Sequence, residues 1–513
     1  MLYFFLVILA VHHVLGYNFL VYSPLFATSH TNYLASIADT LTIAGHNVTF
    51  FVPIMHSKQR DKTLVSPEVD NQYENFINGP LSDLWSLERG YGLAKRLFTE
   101  YNSIANNHCI DLGARNDWKE KLRRQRFDVF IYEPISFCGQ IIRRYLNIST
   151  VIAAPSVAFD VPTMRAIGEP FFASMTPVAM SLYSDEMSIS ERIMNYLMYH
   201  WHPGFSEGPV RPEVFKSFDL PVFDLPEALS ETSFIFTQAN QYLDFPRPTL
   251  PRTVLIGGIT INMTDIRSKT LSKELDQVLN KRNKTVYISF GSVVRSKDMP
   301  IEYRTILLSV CRSFPEVTFL WKYEDDDVTF ADGIENIYFS KWFPQTALLA
   351  DRRLSAMLTH GGLGSTMELA YLGVPAVTVP IFADQTRNSR MLARHGGSIN
   401  MKKLDLGSYN VLYDAVKDIL YQPNYYQNAK LLSEVLNSQP FKPSELVVRH
   451  AELAARFKNI PQLDAASAKL TFVELYLLDA VFIGFISIAS LLTVIVVSVT
   501  KCLVVVSQKL KRE

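Results

Sequence analysis

Cysteine is scarce: four residues in 513, Cys109, Cys138, Cys311 and Cys502, with no metal-ligand spacing and too few for a disulfide framework. Cys502 lies beside an apolar run near the C-terminal end, which leaves at most one bridge for the rest of the chain. An excess of one charge is lacking too. Lys+Arg and Asp+Glu balance at 50 each, so no global field recruits nucleic acid. A D-x-D cluster in strand-end context is absent, and the D-D-D within Glu324 to Asp327 reads as a solvated loop, as like-charge runs usually are. Cysteine chemistry, nucleic-acid binding and a carboxylate-held metal are set aside on these grounds.

What is present is apolar residue in quantity, 48% of the chain, and a length that predicts two or three domain-sized units. Both ends carry apolar runs. Residues 1–16 form a short run closing on Gly16, which suits a signal peptide although the usual basic start is missing. Ala480 to Thr500 is long enough to cross a hydrocarbon layer of about 30 Å as a helix. The tail, 501–513, carries Lys509, Lys511 and Arg512 and belongs on the cytosolic face by the positive-inside rule. Signal and anchor together predict a single-pass type I protein with residues 17–479 in a secretory lumen. The closing K-L-K-R-E is similar to a dilysine retrieval signal for the endoplasmic reticulum. Four N-x-[ST] sequons, at Asn47, Asn147, Asn262 and Asn283, are candidate glycan sites there. Asn47 and Asn147 abut predicted strands, where a glycan fits badly.

Between the ends the chain alternates strand and helix. Asn18 to Tyr22 is a strand, Pro24 to Ser29 a loop, Thr31 to Ala44 a helix stopped by Gly45, and Val48 to Val52 the next strand. Asp128 to Tyr132 and Val151 to Ala154 continue the pattern. It restarts near residue 284 with Thr285 to Phe290, then Phe319 to Lys322, Ile337 to Phe339, Ala356 to Thr359 and Ala376 to Pro380. This grammar predicts two doubly wound α/β units, 17–265 and 266–460, followed by a juxtamembrane stretch, 461–479. Pro155 to Pro226, rich in aromatics, Met and Pro, suits either core or a lipophilic pocket or membrane-facing surface.

Trp342 to Gln385 concentrates the chemistry. Trp342-Phe343-Pro344-Gln345 offers a flat ring and an amide to a heterocycle. Thr359 to Glu368 reads as a strand end, a turn rich in glycine (Gly361, Gly362, Gly364) and a helix start, where backbone N–H groups approach phosphate oxygens. Ser365 and Thr366 add hydroxyls, His360 a donor for the leaving diphosphate, and Glu368 a carboxylate for ribose. A third cluster, Pro375 to Gln385, ends in Asp384-Gln385, which suits sugar hydroxyls.

These residues closely resemble the UDP-glycosyltransferase signature: T-H-G-G with S-T and E in the helix, then P, P and D-Q, with W-x-P-Q upstream. The whole chain resembles an animal UDP-glucuronosyltransferase of the endoplasmic-reticulum membrane. The resemblance implies a GT-B fold, acceptor half first and UDP-sugar half second. It implies Trp342 stacked on uracil, Gln345 on the uracil edge or ribose, and Glu368 on ribose. Ser292, His360 and the Gly361–Ser365 turn would take the diphosphate, Asp384 and Gln385 the sugar. No divalent metal or other cofactor is implied; the UDP-hexose is a co-substrate.

An acceptor hydroxyl must lose a proton as it attacks, and His30 stands at the mouth of the first strand's loop, where open α/β sheets bind ligands. The resemblance makes it the catalytic base. Its partner would be Glu133, where vertebrate relatives typically carry aspartate, with Asp128 as the fallback at the strand's other end. His46 reads as structural. The expected reaction is inverting transfer of a glucuronosyl or glucosyl group to a small lipophilic acceptor, as in detoxification. The competing reading is a two-lobed protein that holds lipophilic ligands without turning them over, or a lapsed transferase. Arg387, Arg390 and Arg394 are either partners for a glucuronate carboxylate or an exposed helix face. Nothing in the sequence decides between a monomer and a homo- or hetero-oligomer.

Overall fold

The computed structural model describes residues 16–24, 26–52, 72, 75–76, 82–85, 91–201 and 208–511. The expected signal peptide lies, apart from Gly16, outside the described residues.

Strands such as Val129–Tyr132 and Phe234–Thr237 are buried at every position, the pattern of strands covered on both faces. They assemble into two six-stranded sheets in which every pairing is parallel. The first contains β1 (Asn18–Tyr22), β2 (Asn47–Phe51), β3 (Val129–Tyr132), β4 (Val151–Ala153), β5 (Phe234–Thr237) and β6 (Thr253–Leu255) in the order β2-β1-β3-β4-β5-β6. The second contains β7 (Lys284–Ser289), β8 (Val317–Lys322), β9 (Ile337–Ser340), β10 (Leu354–Thr359), β11 (Ala376–Thr378) and β12 (Ser398–Asn400) in the order β12-β11-β10-β7-β8-β9. The strand order reverses between β1 and β3 in one sheet and between β7 and β10 in the other. Crevices at the carboxyl ends of such neighbours are where doubly wound sheets bind ligands. Two such crevices exist, one per sheet.

The expected strands form, with ends shifted by a residue or two. The helix Thr28–Ile43 starts three residues before the predicted Thr31, with no side-chain cap, so His30 lies in its first turn rather than in the loop. Pro155 to Pro226 holds helices Val161–Ala166, Ile189–Trp201 and Pro212–Ser217. Part of it is core: Phe159, Met164 and Tyr199 are buried, while Phe172, Leu182, Ile189 and Ile193 are exposed. Cys109 and Cys138 form one disulfide. All four sequon asparagines are exposed, so strand proximity does not separate them. Asn47 differs in that its amide donates to Asn18 Oδ1 at 2.8 Å.

The helix Pro443–Phe457 crosses back from the second sheet and buries Val447, Ala451 and Ala454 against the first. Beyond it Arg252 holds Asp464, Ser467 Oγ donates to Gly168 O at 2.6 Å, and the Phe472 ring meets His200 at 5.5 Å. The terminal helix Leu478–Leu510 therefore leaves from the first half, although it follows the second in sequence. It buries no side chain against the protein and is long and apolar enough to cross a membrane.

Candidate active site

Three strand ends of the first sheet converge on one histidine. His30 follows β1, Glu133 follows β3 and Ser156 follows β4. His30 Nδ1 lies 2.6 Å from Glu133 Oε1 and 2.6 Å from Ser156 Oγ, and the Ser156 N–H donates to Glu133 Oε1 at 3.1 Å. The carboxylate is 2% exposed and the imidazole 15%. Glu133 Oε2 is buried without a partner among the described residues, while Oε1 takes the contacts with His30 and Ser156. With Nδ1 engaged, Nε2 is the nitrogen left for a substrate. The Phe26 ring stands edge-on to His30 at 4.5 Å and to Tyr101 at 4.9 Å, giving the imidazole an apolar flank. The longer carboxylate thus reaches its histidine. Asp128, at the opposite end of β3, accepts instead from the Asn18 N–H at 2.8 Å, so the fallback partner is excluded by place.

The second crevice is built around His360. Gly291 (φ +91°) and Gly362 flank its ring so closely that an added Cβ would lie 2.7 Å and 2.6 Å from ring atoms. Gly361 (φ +78°) sits where a Cβ would meet Ser389 Oγ at 2.2 Å. These glycines therefore do more than expose N–H groups: they make room for the histidine and for the helix Gln385–Ala393. Gly364 alone faces open space. Burial, and secondarily the Lys322 charge, pull the His360 pKa down to about 4, so the ring is neutral near pH 7. Lys322, at the end of β8, donates to Gly291 O at 3.0 Å and to Glu324 at 2.6 Å. It is a buried cation that the sequence reading missed, although its strand-end position is the same kind of signal that picked out His360.

Around this core, Trp342 is 71% exposed, a free ring beside the crevice. Gln345 donates to Ser365 Oγ at 2.9 Å and to Glu368, whose other oxygen takes the Thr346 hydroxyl at 2.7 Å. Burial raises the Glu368 pKa against those two hydrogen bonds. Ser292 is exposed on the loop after β7. Ala383 adopts φ +52°, a strained conformation for a residue with a Cβ, and this turns the chain into the helix Gln385–Ala393. Asp384 there accepts from Asn388 at 2.8 Å. Burial raises its pKa, opposed by Asn388 and by the charge of His30 from the other half. Gln385 departs from expectation in part: its carbonyl oxygen accepts the Ile381 and Phe382 N–H groups at 2.8 and 3.0 Å, which leaves only its Nε2 for a sugar.

A sequence model of the family described as UDP-glucoronosyl and UDP-glucosyl transferase matches residues 22–513. The chain belongs to that family. It is 28% identical over 495 residues to human UDP-glucuronosyltransferase 2B10, covering 91% of this chain and 90% of the relative. It is 26% identical over 485 residues to the putative UDP-glucuronosyltransferase ugt-48 of Caenorhabditis elegans, covering 91% of each. Among solved structures, Os79 from O. sativa in complex with U2F and trichothecene aligns with a TM-score of 0.56 at 16% identity, over 86% of this chain and 100% of that one. The two sheets are those of a GT-B fold, and the protein is a UDP-glycosyltransferase. The relatives and the helix Leu478–Leu510 fit a membrane-anchored protein.

In this transferase two of the three arginines after Gln385 match neither expectation fully, while Arg390 is half-buried with its Nε unpartnered among the described residues. Arg387 is 1% exposed, donates to Pro177 O at 3.0 Å and pairs with Asp244 at 2.7 Å, so it braces the two halves. Arg394 pairs with Asp185 at 2.9 Å. Both are engaged by the first half, through loops that no local pattern in the sequence connects to them.

Proposed function

We propose that the protein is an inverting transferase that moves a hexosyl group from a UDP-sugar to a hydroxyl of a small lipophilic acceptor, with His30 as base. The observation that carries this is the cluster at the carboxyl ends of β1, β3 and β4, where His30 Nδ1 lies 2.6 Å from both Glu133 Oε1 and Ser156 Oγ and Nε2 is left for a substrate. A histidine held in this way, in a family named for transfer from UDP-sugars, suits removal of a proton from an acceptor hydroxyl held at one side of an anomeric carbon.

The acceptor hydroxyl gives its proton to His30 Nε2 while its oxygen attacks the anomeric carbon. The bond from that carbon to the β-phosphate oxygen breaks, and the electron pair leaves with UDP. Glu133 fixes the tautomer through Nδ1 and stabilises the imidazolium. Neutral His360 donates one hydrogen bond to the diphosphate, beside Ser292 and the N-terminus of the helix Leu363–Leu372. Trp342, Gln345 and Glu368 take the nucleoside, and Asp384 with the Gln385 amide takes the hexose. The reaction is proposed to need no divalent metal. The site is proposed to face the lumen of the endoplasmic reticulum, and conjugation of lipophilic compounds is the biological role that its apolar flank, Phe26 and Tyr101, supports.

The engagement of Arg387 and Arg394 by the first half favours a neutral, glucose-type donor, and Arg390, whose Nε is buried without a partner among the described residues, is the one candidate of the three left for a glucuronate carboxylate. Membranes carrying the full chain, given UDP-glucose or UDP-glucuronate with one phenolic acceptor, test both levels. Glucoside as the main product supports this reading. Glucuronide in excess overturns the donor choice, and no conjugate from any UDP-hexose, with UDP still bound, overturns the catalytic reading.

A further inference from the structure

The loop after β7 carries Ser292 and seats His360, and one side chain from the first half is packed into it. Trp85, in the short 3-10 turn Ser82–Trp85, is 2% exposed. Its indole N–H donates to Arg295 O at 2.8 Å, and its ring stands edge-on to Phe290 at 4.9 Å. The preceding carbonyl, Leu84 O, accepts from Lys403 Nζ of the second half at 3.0 Å. The same loop is gripped from its own half, where the Trp321 indole donates to Ser296 Oγ at 3.2 Å. Residues 290–296 are thus held between two tryptophans, one from each half.

We propose that Trp85 is a positioning residue of the donor site, a latch by which the acceptor half holds the diphosphate-binding loop in its binding geometry. The argument is one of succession. Phe290, which Trp85 touches, precedes Gly291, and Gly291 forms one wall of the His360 ring. A shift of Phe290 moves Gly291 and with it the seat of His360 and the hydroxyl of Ser292. An indole offers both a large apolar contact and a directed hydrogen bond, and without it the Arg295 carbonyl keeps only the longer bond from the Asp298 N–H at 3.3 Å.

A second seam joins the halves elsewhere. The Tyr371 hydroxyl donates to Gly257 O at 3.0 Å and receives the amides of Asn240 and Gln439 at 3.1 and 3.0 Å. Gly257 and Gln439 lie near the two points where the chain passes between the halves, so this seam sits at the hinge. Trp85 lies far from both crossings in sequence and acts on the loop itself. Loss of Trp85 is therefore expected to leave the halves joined and to loosen only the loop.

The inference rests on the reading of loop 290–296 as part of a UDP-sugar site, so the test reads UDP affinity apart from transfer. The full chain is purified in detergent and titrated with UDP by calorimetry, and donor and acceptor kinetics are measured in parallel. Trp85→Ala is expected to raise the UDP Kd and the donor KM together by about ten-fold, with kcat and the acceptor KM changed by less than about two-fold. Trp85→Phe keeps the ring contact, loses only the N–H, and is expected to fall between, at about three-fold. Lys403→Met, which frees the Leu84 carbonyl, is expected to act in the same direction. A residue that merely supports the fold would lower the yield of folded chain without changing UDP affinity per folded molecule. Unchanged affinity in folded Trp85→Ala overturns the latch; if that variant does not fold, unchanged affinity in both Trp85→Phe and Lys403→Met overturns it. Wild-type chain that binds no UDP overturns the reading of the site itself.

Discussion

In the first half, His30 meets its carboxylate across 103 residues of chain, and Ser156 ties the two together before any substrate arrives. In the second half, the side chains proposed to bind the donor are engaged within the protein: Gln345 with Glu368 and Ser365, Glu368 also with Thr346, and Gln385 with the Ile381 and Phe382 N–H groups. The proposed base is assembled in advance, whereas the proposed donor site would exchange internal bonds for bonds to ligand. Preorganisation of this kind places rate in the first half and affinity in the second. Substitutions on the two sides should then separate in kind, kcat against donor KM.

The largest effect is expected from His30→Ala, which removes the base. Transfer should fall by about a thousand-fold or more, as losses of positioned general bases do. Loss of less than about ten-fold would break the comparison at its first half. Glu133→Gln keeps the size of the side chain and removes the charge that the imidazolium needs. A fall in kcat of about a hundred-fold is expected, with donor KM unchanged; an effect on KM alone would mean that Glu133 acts through the fold.

The smallest effect concerns His360 and pH. Its folded pKa, about 4, lies below the ordinary 6.5. Between those values the unfolded chain binds the extra proton, so stability is present above pH 6.5 and is lost as pH falls toward 4. In His360→Asn that share of the acid loss disappears. The midpoint of thermal unfolding should then decline less steeply over this range, by about 1–3 °C. Equal slopes would show that the imidazole is not held neutral.

The same contrast explains what the sequence made legible. The proposed donor residues other than Ser292 lie within one stretch, Trp342 to Gln385, so their spacing and its likeness to the family signature bring them into view. His30 and Glu133 were legible because each stands at a strand's carboxyl end, and the β1/β3 reversal places those ends side by side. Ser156 occupies the same kind of position after β4 yet was passed over, because a lone serine after a proline carries no local signal. Lys322 was hidden by its neighbours, since a lysine before an acidic run reads as surface. The roles of Arg387 and Trp85 were out of reach. Each is set by a partner from the other half, Asp244 for one and Arg295 for the other, and no periodicity within a helix or turn encodes how two halves meet. The course of the terminal segment was illegible for the same reason: the helix Pro443–Phe457 has an ordinary apolar face, and only tertiary packing decides which sheet it covers.

The most direct test of the division between the halves is the UDP affinity of His30→Ala measured by calorimetry beside that of Trp342→Ala. Wild-type affinity in His30→Ala and a loss of about ten-fold in Trp342→Ala, whose exposed ring would no longer stack on the base, is the predicted result. Weakened UDP binding in His30→Ala with wild-type affinity in Trp342→Ala would contradict the account.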